Sequence, residues 1–317
     1  MSAASGQPAA GGSGYLALFV GLFFVSTSGP FLVAAKMDAL AMVVVRMLGS
    51  ALLLLAWARA RGLRLAGEHV ARTLLGAGLL AAHFALWLKA FDLTDFASNL
   101  LLLVAQPVVA ALLGAAVGEP PTRRTWAAVA LAALGLGVIA RGDFSLGPRA
   151  LLGDGMCVLG ALAIALFYVV TRRARAETPL APFLGVVFLA GGLFVLPLAL
   201  VSGSRFGGYS AESWAWALAL VLVTTIGGHG LLNVAARRVS LFSLNVVIVL
   251  EPAIGIGLGA LMFGARVTPV QLAGGVLLAA AVWIGLLGEH RRARSARATA
   301  PPAPDGGLRT HPSPPPA

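Results

Sequence analysis

Long apolar runs, separated by short charged or glycine-rich stretches, dominate this sequence. A membrane core about 30 Å thick is crossed by roughly 20 apolar residues in a helix, and ten runs approach or reach that length. They are Tyr15–Ala35, Ala39–Ala58, Val70–Phe91, Phe96–Val117, Trp126–Ala140, Leu152–Thr171, Pro182–Val201, Ser213–Ala236, Leu241–Phe263 and Val270–Leu287. The sequence therefore predicts an all-α membrane protein with ten transmembrane helices and short loops, so that function must lie within the helix bundle.

Composition excludes the soluble alternatives. Hydrophobic residues make up 59% of the 317 residues and charged residues 11%, against about 45–50% apolar and 25% charged residues in soluble domains. The net charge of +11 does not indicate a nucleic-acid-binding protein, because the basic residues lie between apolar runs and form no continuous basic face. The single cysteine, Cys157, has no partner for an internal disulfide.

The distribution of basic residues predicts the orientation. With both termini in the cytoplasm, the inner loops and proximal tail hold fifteen Lys and Arg residues and the outer loops six, as the positive-inside rule requires. The first run is longer than a signal-peptide core and no basic residue precedes it, so we expect it to be retained as a helix. Residues 1–14 and the Pro/Arg-rich residues 289–317 are predicted to be disordered tails.

An internal repeat relates the two halves of the chain. A shift of 145 or 146 residues superposes less common residue types: His83 on His229, Phe96 on Phe242, Asn99 on Asn245, Pro107 on Pro252, Gly114 on Gly259 and Thr122 on Thr268. We therefore predict two five-helix repeats, residues 15–140 and 152–288, joined by a linker over 141–151. Since five is odd, the repeats must be inverted, an architecture typical of secondary carriers with a site near the midplane.

Placing an ionisable residue inside a membrane helix costs free energy, so ionisable residues within the apolar runs are functional candidates. Arg46, His83, His229 and Glu251 lie deep in their runs, whereas Asp154 lies at a predicted helix start. The two histidines lie at matching repeat positions, so their helix faces should meet across the pseudo-twofold axis. They either face a shared cavity and contact a polar or zwitterionic solute or bond to a neighbouring helix and stabilise the bundle.

Each histidine has a polar or aromatic neighbour on the same helix face. Trp87 lies four residues after His83, and Asn233 four residues after His229. Both neighbours are candidate solute contacts. A metal site is not predicted, because two histidines without a third ligand at a suitable spacing leave a zinc shell incomplete.

The fourth and ninth runs contain prolines beside further polar residues. Asn99 and Gln106 share a helix face, whereas Asn245 and Glu251 are about 120° apart on an ideal helix. Because a mid-helix proline frees a backbone carbonyl, we expect bends at Pro107 and Pro252. The first run should bend at Pro30, beside the hydroxyls of residues 26–28, which either line a pathway or bond back to the helix.

Glu251 and Arg46 leave two interpretations open. Burial favours a protonated carboxyl, which would suit proton coupling, whereas a nearby cation such as Arg46 would keep the carboxylate in a structural ion pair. Arg46 itself is a candidate ligand for a carboxylate or phosphate of the solute, or a partner for another group inside the bundle.

These residues fall within strings that resemble EamA-type carriers of the drug/metabolite transporter superfamily. The strings are Val45–Leu48, His83–Trp87, Gln106–Pro107, Gly118–Glu119, Phe167–Arg173, Gly228–Asn233 and Leu250–Pro252. The resemblance covers about residues 15–288. It implies a ten-helix carrier of the bacterial inner membrane, commonly an exporter of amino acids, related metabolites or toxic compounds. One departure is that the second repeat has Gly264-Ala265 where the first has Gly118-Glu119.

The sequence thus predicts a multi-pass secondary transporter, not an enzyme, that exports a small polar metabolite or drug-like compound by alternating access, with protons as the candidate coupling ion. His83, Trp87, Asn99, Gln106, His229, Asn233 and Asn245 are the predicted solute contacts. An importer, or a channel or sensor of the same fold, remains an alternative. An intramembrane enzyme is disfavoured because no Gly-x-Ser-x-Gly string, which would expose a nucleophilic serine, occurs. No cofactor is predicted, and the sequence leaves the oligomeric state open.

Overall fold

The computed structural model describes residues 12–93, 106, 113, 121–139, 148–248, 250–263 and 269–298. Every regular element within these ranges is helical. Outside the described residues lie residues 1–11 of the predicted first tail, all of the predicted run Phe96–Val117 except Gln106 and Leu113, most of the predicted linker and the end of the second tail.

The described helices of the first half are α1 (Gly12–Ser26), α2 (Ser28–Ala35), α3 (Ala39–Ala60), α4 (Val70–Ala90) and α5 (Arg123–Ile139). The second half contains α6 (Pro148–Val170), α7 (Arg172–Glu177), α8 (Leu180–Val201), α9 (Ala211–Ala219), α10 (Gly230–Ala235), α11 (Leu241–Ile248), α12 (Glu251–Phe263) and α13 (Pro269–Ala298). A 3₁₀ turn, Gly67–His69, leads into α4, and a π-helical segment, Leu220–His229, joins α9 to α10.

Six helical stretches of the described chain are long and apolar enough to cross a membrane. They are Gly12–Ala35, Ala39–Ala60, Gly67–Ala90, Pro148–Val170, Leu180–Val201 and Ala211–Ala235. Two shorter apolar stretches cover Val246–Met262 and Leu272–Gly285. Within the described residues the structure is helical, and its helices are of the length and composition that suit a membrane. Three predicted boundaries differ. Helix α1 begins at Gly12, within the predicted first tail, and α6 begins at Pro148, within the predicted linker. Helix α13 continues to Ala298, through alanine and arginine residues that favour a helix, beyond the predicted start of the tail at residue 289.

The distribution of side chains is that of a protein surrounded by lipid. Leu16 is 66% exposed and Val201 88% exposed, whereas Arg46 is only 1% exposed. Apolar surface of this kind is stable against lipid tails, and charge inside a bundle is tolerated where other polar groups surround it. Buried polar groups such as Arg46, which could bind a solute, therefore lie in the interior of the helix bundle.

The closest helix packings join the two halves of the chain. Helix α3 packs on α8, α4 on α6 and α8, α5 on α13, and α1 on α10 and the π-helical segment. The two halves therefore interlock and share one interior.

Two glycines allow α1 to approach the π-helical segment and α10 closely. A Cβ atom on Gly228 would lie 2.7 Å from Val25 Cγ1 and 2.9 Å from the Val25 nitrogen, and one on Gly21 would lie 3.0 Å from the Leu232 nitrogen. Small residues permit such backbone contact between membrane helices. This contact brings the interruption in the first membrane helix next to His229.

Candidate functional site

A buried cavity lies between α1, α2, α3, α4, α6, the π-helical segment and the α11–α12 break. The space not filled by protein atoms is about 470 Å³, including the part open to solvent. Six residues predicted from the sequence line it: Arg46, His83, Trp87, Gln106, His229 and Glu251. The structure thus brings together residues that are far apart along the chain.

Arg46 contributes a positively charged group near the centre of α3. Its guanidinium donates to Thr225 Oγ1 at 3.3 Å and, more weakly, to Ser28 Oγ at 3.5 Å. Its Cζ atom lies 4.0 Å from the centre of the Phe84 ring, within the range of a cation–π interaction. None of these groups is an anion, so the charge of Arg46 is solvated but not neutralised by them.

His229 closes this cluster from the end of the π-helical segment. Its Nε2 lies 3.4 Å from Arg46 Nη2, and because a guanidinium only donates, Nε2 must accept. The proton of the neutral imidazole is therefore on Nδ1. The ring also meets Phe84 edge to face, with 5.2 Å between centroids. His229 is thus a neutral acceptor that helps to orient Arg46.

His83 is held from the neighbouring helix α6. Its Nδ1 lies 3.0 Å from the carbonyl oxygen of Gly160, which can only accept, so Nδ1 carries the proton and Nε2 is the acceptor of the neutral ring. The ring is nearly parallel to that of Trp87, with an angle of 7° and 6.2 Å between centroids. The bond to Gly160 is the helix-to-helix contact that the sequence left as an alternative, yet both rings also line the cavity.

Glu251 contributes the opposite charge at the start of α12. It lines the cavity, and among the described residues no hydrogen bond or ion pair to its carboxyl group is formed, although Arg46 is near enough to attract it electrostatically. Of the two interpretations left open above, the described structure does not contain the direct ion pair with Arg46. The carboxyl group is therefore available to a solute or a proton.

Breaks in regular helix geometry place these side chains. The first membrane helix is interrupted at Thr27, three residues before Pro30, and Leu250, two residues before Pro252, lies in a turn ahead of α12. The π-helical segment ends at His229, and its Thr225 hydroxyl donates to the carbonyl of Leu220 at 2.9 Å. Such segments often occur at functional sites because they redirect side chains.

The remaining predicted residues are placed differently. Asn233 is buried but does not line the cavity, and its side-chain nitrogen donates to the His229 carbonyl at 2.8 Å. Asn245 lies in α11, and only the backbone of this residue is described. Asn99 and Pro107 lie outside the described residues. The predicted roles of these residues in solute binding stay predictions.

Two lining residues with aromatic side chains, Phe84 and Tyr168, were not selected from the sequence as solute contacts. Ser28, one of the hydroxyl residues named at positions 26–28, also lines the cavity. Phe84 follows His83 directly, and its position on the same helix turn gave no reason to separate it from ordinary core aromatics. Tyr168 carries a hydroxyl group within an otherwise apolar stretch of α6. That isolated polar group is the signal that could have identified it.

Comparison with known proteins identifies the family. The sequence model of the EamA-like transporter family matches twice, over residues 12–141 and residues 151–287. The chain belongs to the EamA-like transporter family. As a family member it is a membrane transporter and not an enzyme, which confirms both expectations from the sequence.

Two relatives agree with this assignment, and one solved structure shares the fold. An uncharacterized transporter from Archaeoglobus fulgidus is 29% identical over 67% of this EamA-like chain and 76% of the relative. A protein from Salmonella typhimurium named "probable amino-acid metabolite efflux pump" is 26% identical over 62% of this chain and 69% of the relative. A solved structure, titled only "Crystal structure of protein", superposes with a TM-score of 0.77 at 17% identity, over 88% of this chain and 98% of the other, which shows a shared fold.

Proposed function

We propose that this transporter exports a small polar metabolite that carries both an anionic and a cationic group, such as an amino acid or a related compound. The observation that carries the proposal is the presence of Arg46 and Glu251 in one buried cavity without a direct ion pair between them in the described structure. Leaving two opposite charges separated inside a membrane bundle is costly. A zwitterionic solute placed between them would satisfy both.

The cavity offers a distinct contact for each part of such a solute. The Arg46 guanidinium, oriented by Thr225 and His229, would bind a carboxylate through its paired N–H groups. The Glu251 carboxylate would bind an ammonium group. His83 and Trp87 would present an imidazole acceptor and an aromatic face to the rest of the molecule.

Glu251 is also the proposed site of proton coupling. A carboxyl group in this position can hold either a proton or the cationic group of the solute, but not both. Proton uptake from the outside would then release the solute, and solute binding from the inside would release the proton. Transport would thus be antiport, in which protons move inwards down their gradient while the solute moves outwards. The absence of another anchor for the carboxyl group among the described contacts favours this exchange.

Alternating access would arise from two inverted five-helix repeats that rock around the cavity. Support comes from the two separate matches to the family model, from the interlocked packing of the halves and from the helix interruptions beside the cavity. We assign residues 15–140 and 152–288 to the repeats, place ten helices in the bundle and both termini in the cytoplasm, and propose the bacterial inner membrane as the location.

Export is tested first by metabolite profiling of the medium. Cells that produce the transporter should accumulate a zwitterionic compound outside, relative to cells with an empty vector. Accumulation of only uncharged or singly charged compounds would contradict the proposed solute class. A compound depleted from the medium would reverse the direction and support the importer.

The coupling role is then tested with the identified compound in proteoliposomes under an imposed pH gradient. Glu251→Gln should abolish the dependence of transport rate on the gradient, because glutamine cannot exchange a proton. The matched control is Glu212→Gln, which neutralises an exposed carboxylate at the start of α9 and should leave the dependence unchanged. If Glu251→Gln keeps both its rate and its pH dependence, Glu251 is not the coupling group.

A further inference from the structure

A second cluster of ionisable groups lies away from the cavity, where the 3₁₀ turn before α4 meets the end of α7. His69 Nε2 lies 3.0 Å from Glu177 Oε2 and 3.6 Å from Glu68 Oε1. These three possible ligand atoms all lie within 4.8 Å of one another and come from two segments that are far apart in sequence. Each of the two segments follows a predicted membrane helix, and both are predicted to lie on the cytoplasmic side of the membrane.

The histidine is the unusual member of this cluster. Its side chain is only 2% exposed, yet neither ring nitrogen forms a well-aligned hydrogen bond within the described part of the chain. A buried imidazole without hydrogen bonds is costly, because its polar nitrogens have lost water. Nε2 lies near two carboxylate oxygens, but its contact with Glu177 does not have hydrogen-bond alignment. An ion that accepts the Nε2 lone pair would give this nitrogen a partner.

The spacing of the donor atoms suits a small divalent cation. Ligand atoms at the usual 2.0–2.2 Å from tetrahedral zinc are about 3.3–3.6 Å from one another. The observed separations from His69 Nε2, 3.0 Å and 3.6 Å, lie within about 0.3 Å of this range. Two carboxylates would balance the charge of the ion, and one imidazole favours zinc or a similar transition metal over magnesium, which prefers oxygen ligands alone.

The neighbouring cation does not occupy this position. Arg173 Nε binds Glu177 Oε1 at 2.9 Å, which leaves Oε2 facing His69. This ion pair contributes most to holding the pKa of the Glu177 carboxyl group below its usual value. Glu68 is 74% exposed, so the proposed site is open to water for metal entry and for a fourth, water ligand.

We propose that Glu68, His69 and Glu177 form a binding site for one divalent transition-metal ion, with Zn²⁺ as the best match. The bound ion would tie the turn before α4 to α7 and thereby join the two halves of the chain at one membrane face. Neither the family assignment nor the proposed transport cavity requires this site. It could not be found from sequence spacing, because its third ligand comes from the other half of the chain.

The test is direct metal binding to the full-length chain, purified in detergent with a tag that contains no histidine. Isothermal titration with Zn²⁺ should give one site per chain. Glu68→Gln and Glu177→Gln should each weaken binding at least about tenfold, a loss that even second-shell changes can cause. Glu212→Gln is the matched control and should bind as the original chain does. Both tested carboxylates are partly exposed, so these variants are expected to fold.

A second readout separates a true site from a simple His69–Glu177 ion pair. Co²⁺ bound by this ligand set should give the visible absorption bands of a tetrahedral cobalt centre, and Zn²⁺ should displace them. Lack of stoichiometric Zn²⁺ binding by the original chain would overturn the proposal. Binding that persists unchanged in both Glu68→Gln and Glu177→Gln would overturn it as well.

Discussion

Replacing Arg46 by lysine keeps a positive charge in the cavity but removes the planar guanidinium group. In the structure three donor atoms of the guanidinium are used at once: Nε towards Thr225, Nη1 towards Ser28 and Nη2 towards His229. A lysine ammonium is a single point on a flexible stem and can keep at most one of these contacts in place. The charge would therefore lose the orientation that we expect solute binding to require.

The size of the effect follows from the bond to the solute that is lost. The paired N–H groups of the guanidinium would bind the solute carboxylate with two hydrogen bonds, and an ammonium would keep one of them. A hydrogen bond to a charged group contributes about 1.5–3 kcal/mol. Since 1.4 kcal/mol is a tenfold change, the KM for the solute should rise about 10-fold to 150-fold in Arg46→Lys.

The assay is initial-rate transport in proteoliposomes at equal protein density, after size-exclusion chromatography has shown that the variant is monodisperse. Arg59→Lys is the matched control, because Arg59 lies on the same helix α3 but is exposed, and its KM should not change. An unchanged KM in Arg46→Lys, or an equal rise in both variants, would refute the role of an oriented guanidinium in solute binding.

Three further predictions concern packing, a loop contact and the cavity wall. Gly228→Ala should lower the free energy of unfolding by about 1–3 kcal/mol, because its Cβ would press on the backbone of α1. Thermal unfolding in detergent measures this change. Gly230→Ala, whose added Cβ would meet no neighbouring atom, should have little effect. The backbone N–H of Arg205 binds Asp38 at 2.8 Å and holds the pKa of that carboxyl group below its usual value. Asp38→Asn should therefore destabilise the protein at neutral pH, and the difference should vanish as the pH falls through that lowered pKa; a constant difference across the titration would contradict this. His83→Ala should abolish export at matched membrane levels, and full export would show that His83 serves only to join α4 to α6.

The positions of the apolar helices could be predicted because each depends on local composition. The stretch Ala39–Ala60 forms α3 almost as its apolar run predicts, and Gly62 follows with a φ of 65°, a conformation that glycine adopts readily after a helix. The end of the last helix could not be placed in this way. Arginine and alanine residues after residue 289 favour a helix in any environment, so the loss of hydrophobicity did not mark the end of α13.

Part of the candidate site could also be selected in advance. Charged and imidazole groups are so costly in a membrane helix that Arg46, His83, His229 and Glu251 are conspicuous in the sequence, and the structure places all four around one cavity. Asn233 was selected because it lies four residues after His229, but it bonds to its own helix. An amide can satisfy its donor locally, so its presence alone does not indicate which way it faces.

The sequence by itself determined that this chain is a helical membrane protein, which family it resembles and which polar residues had to be enclosed, because these properties follow from composition and the order of residues. Only the tertiary structure decided which of those residues meet. The separation of Glu251 from Arg46, the bond from His83 to Gly160 and the convergence of Glu68, His69 and Glu177 all depend on helices from opposite halves of the chain. Their packing is set by contacts between distant segments, and no local pattern of residues encodes those distances.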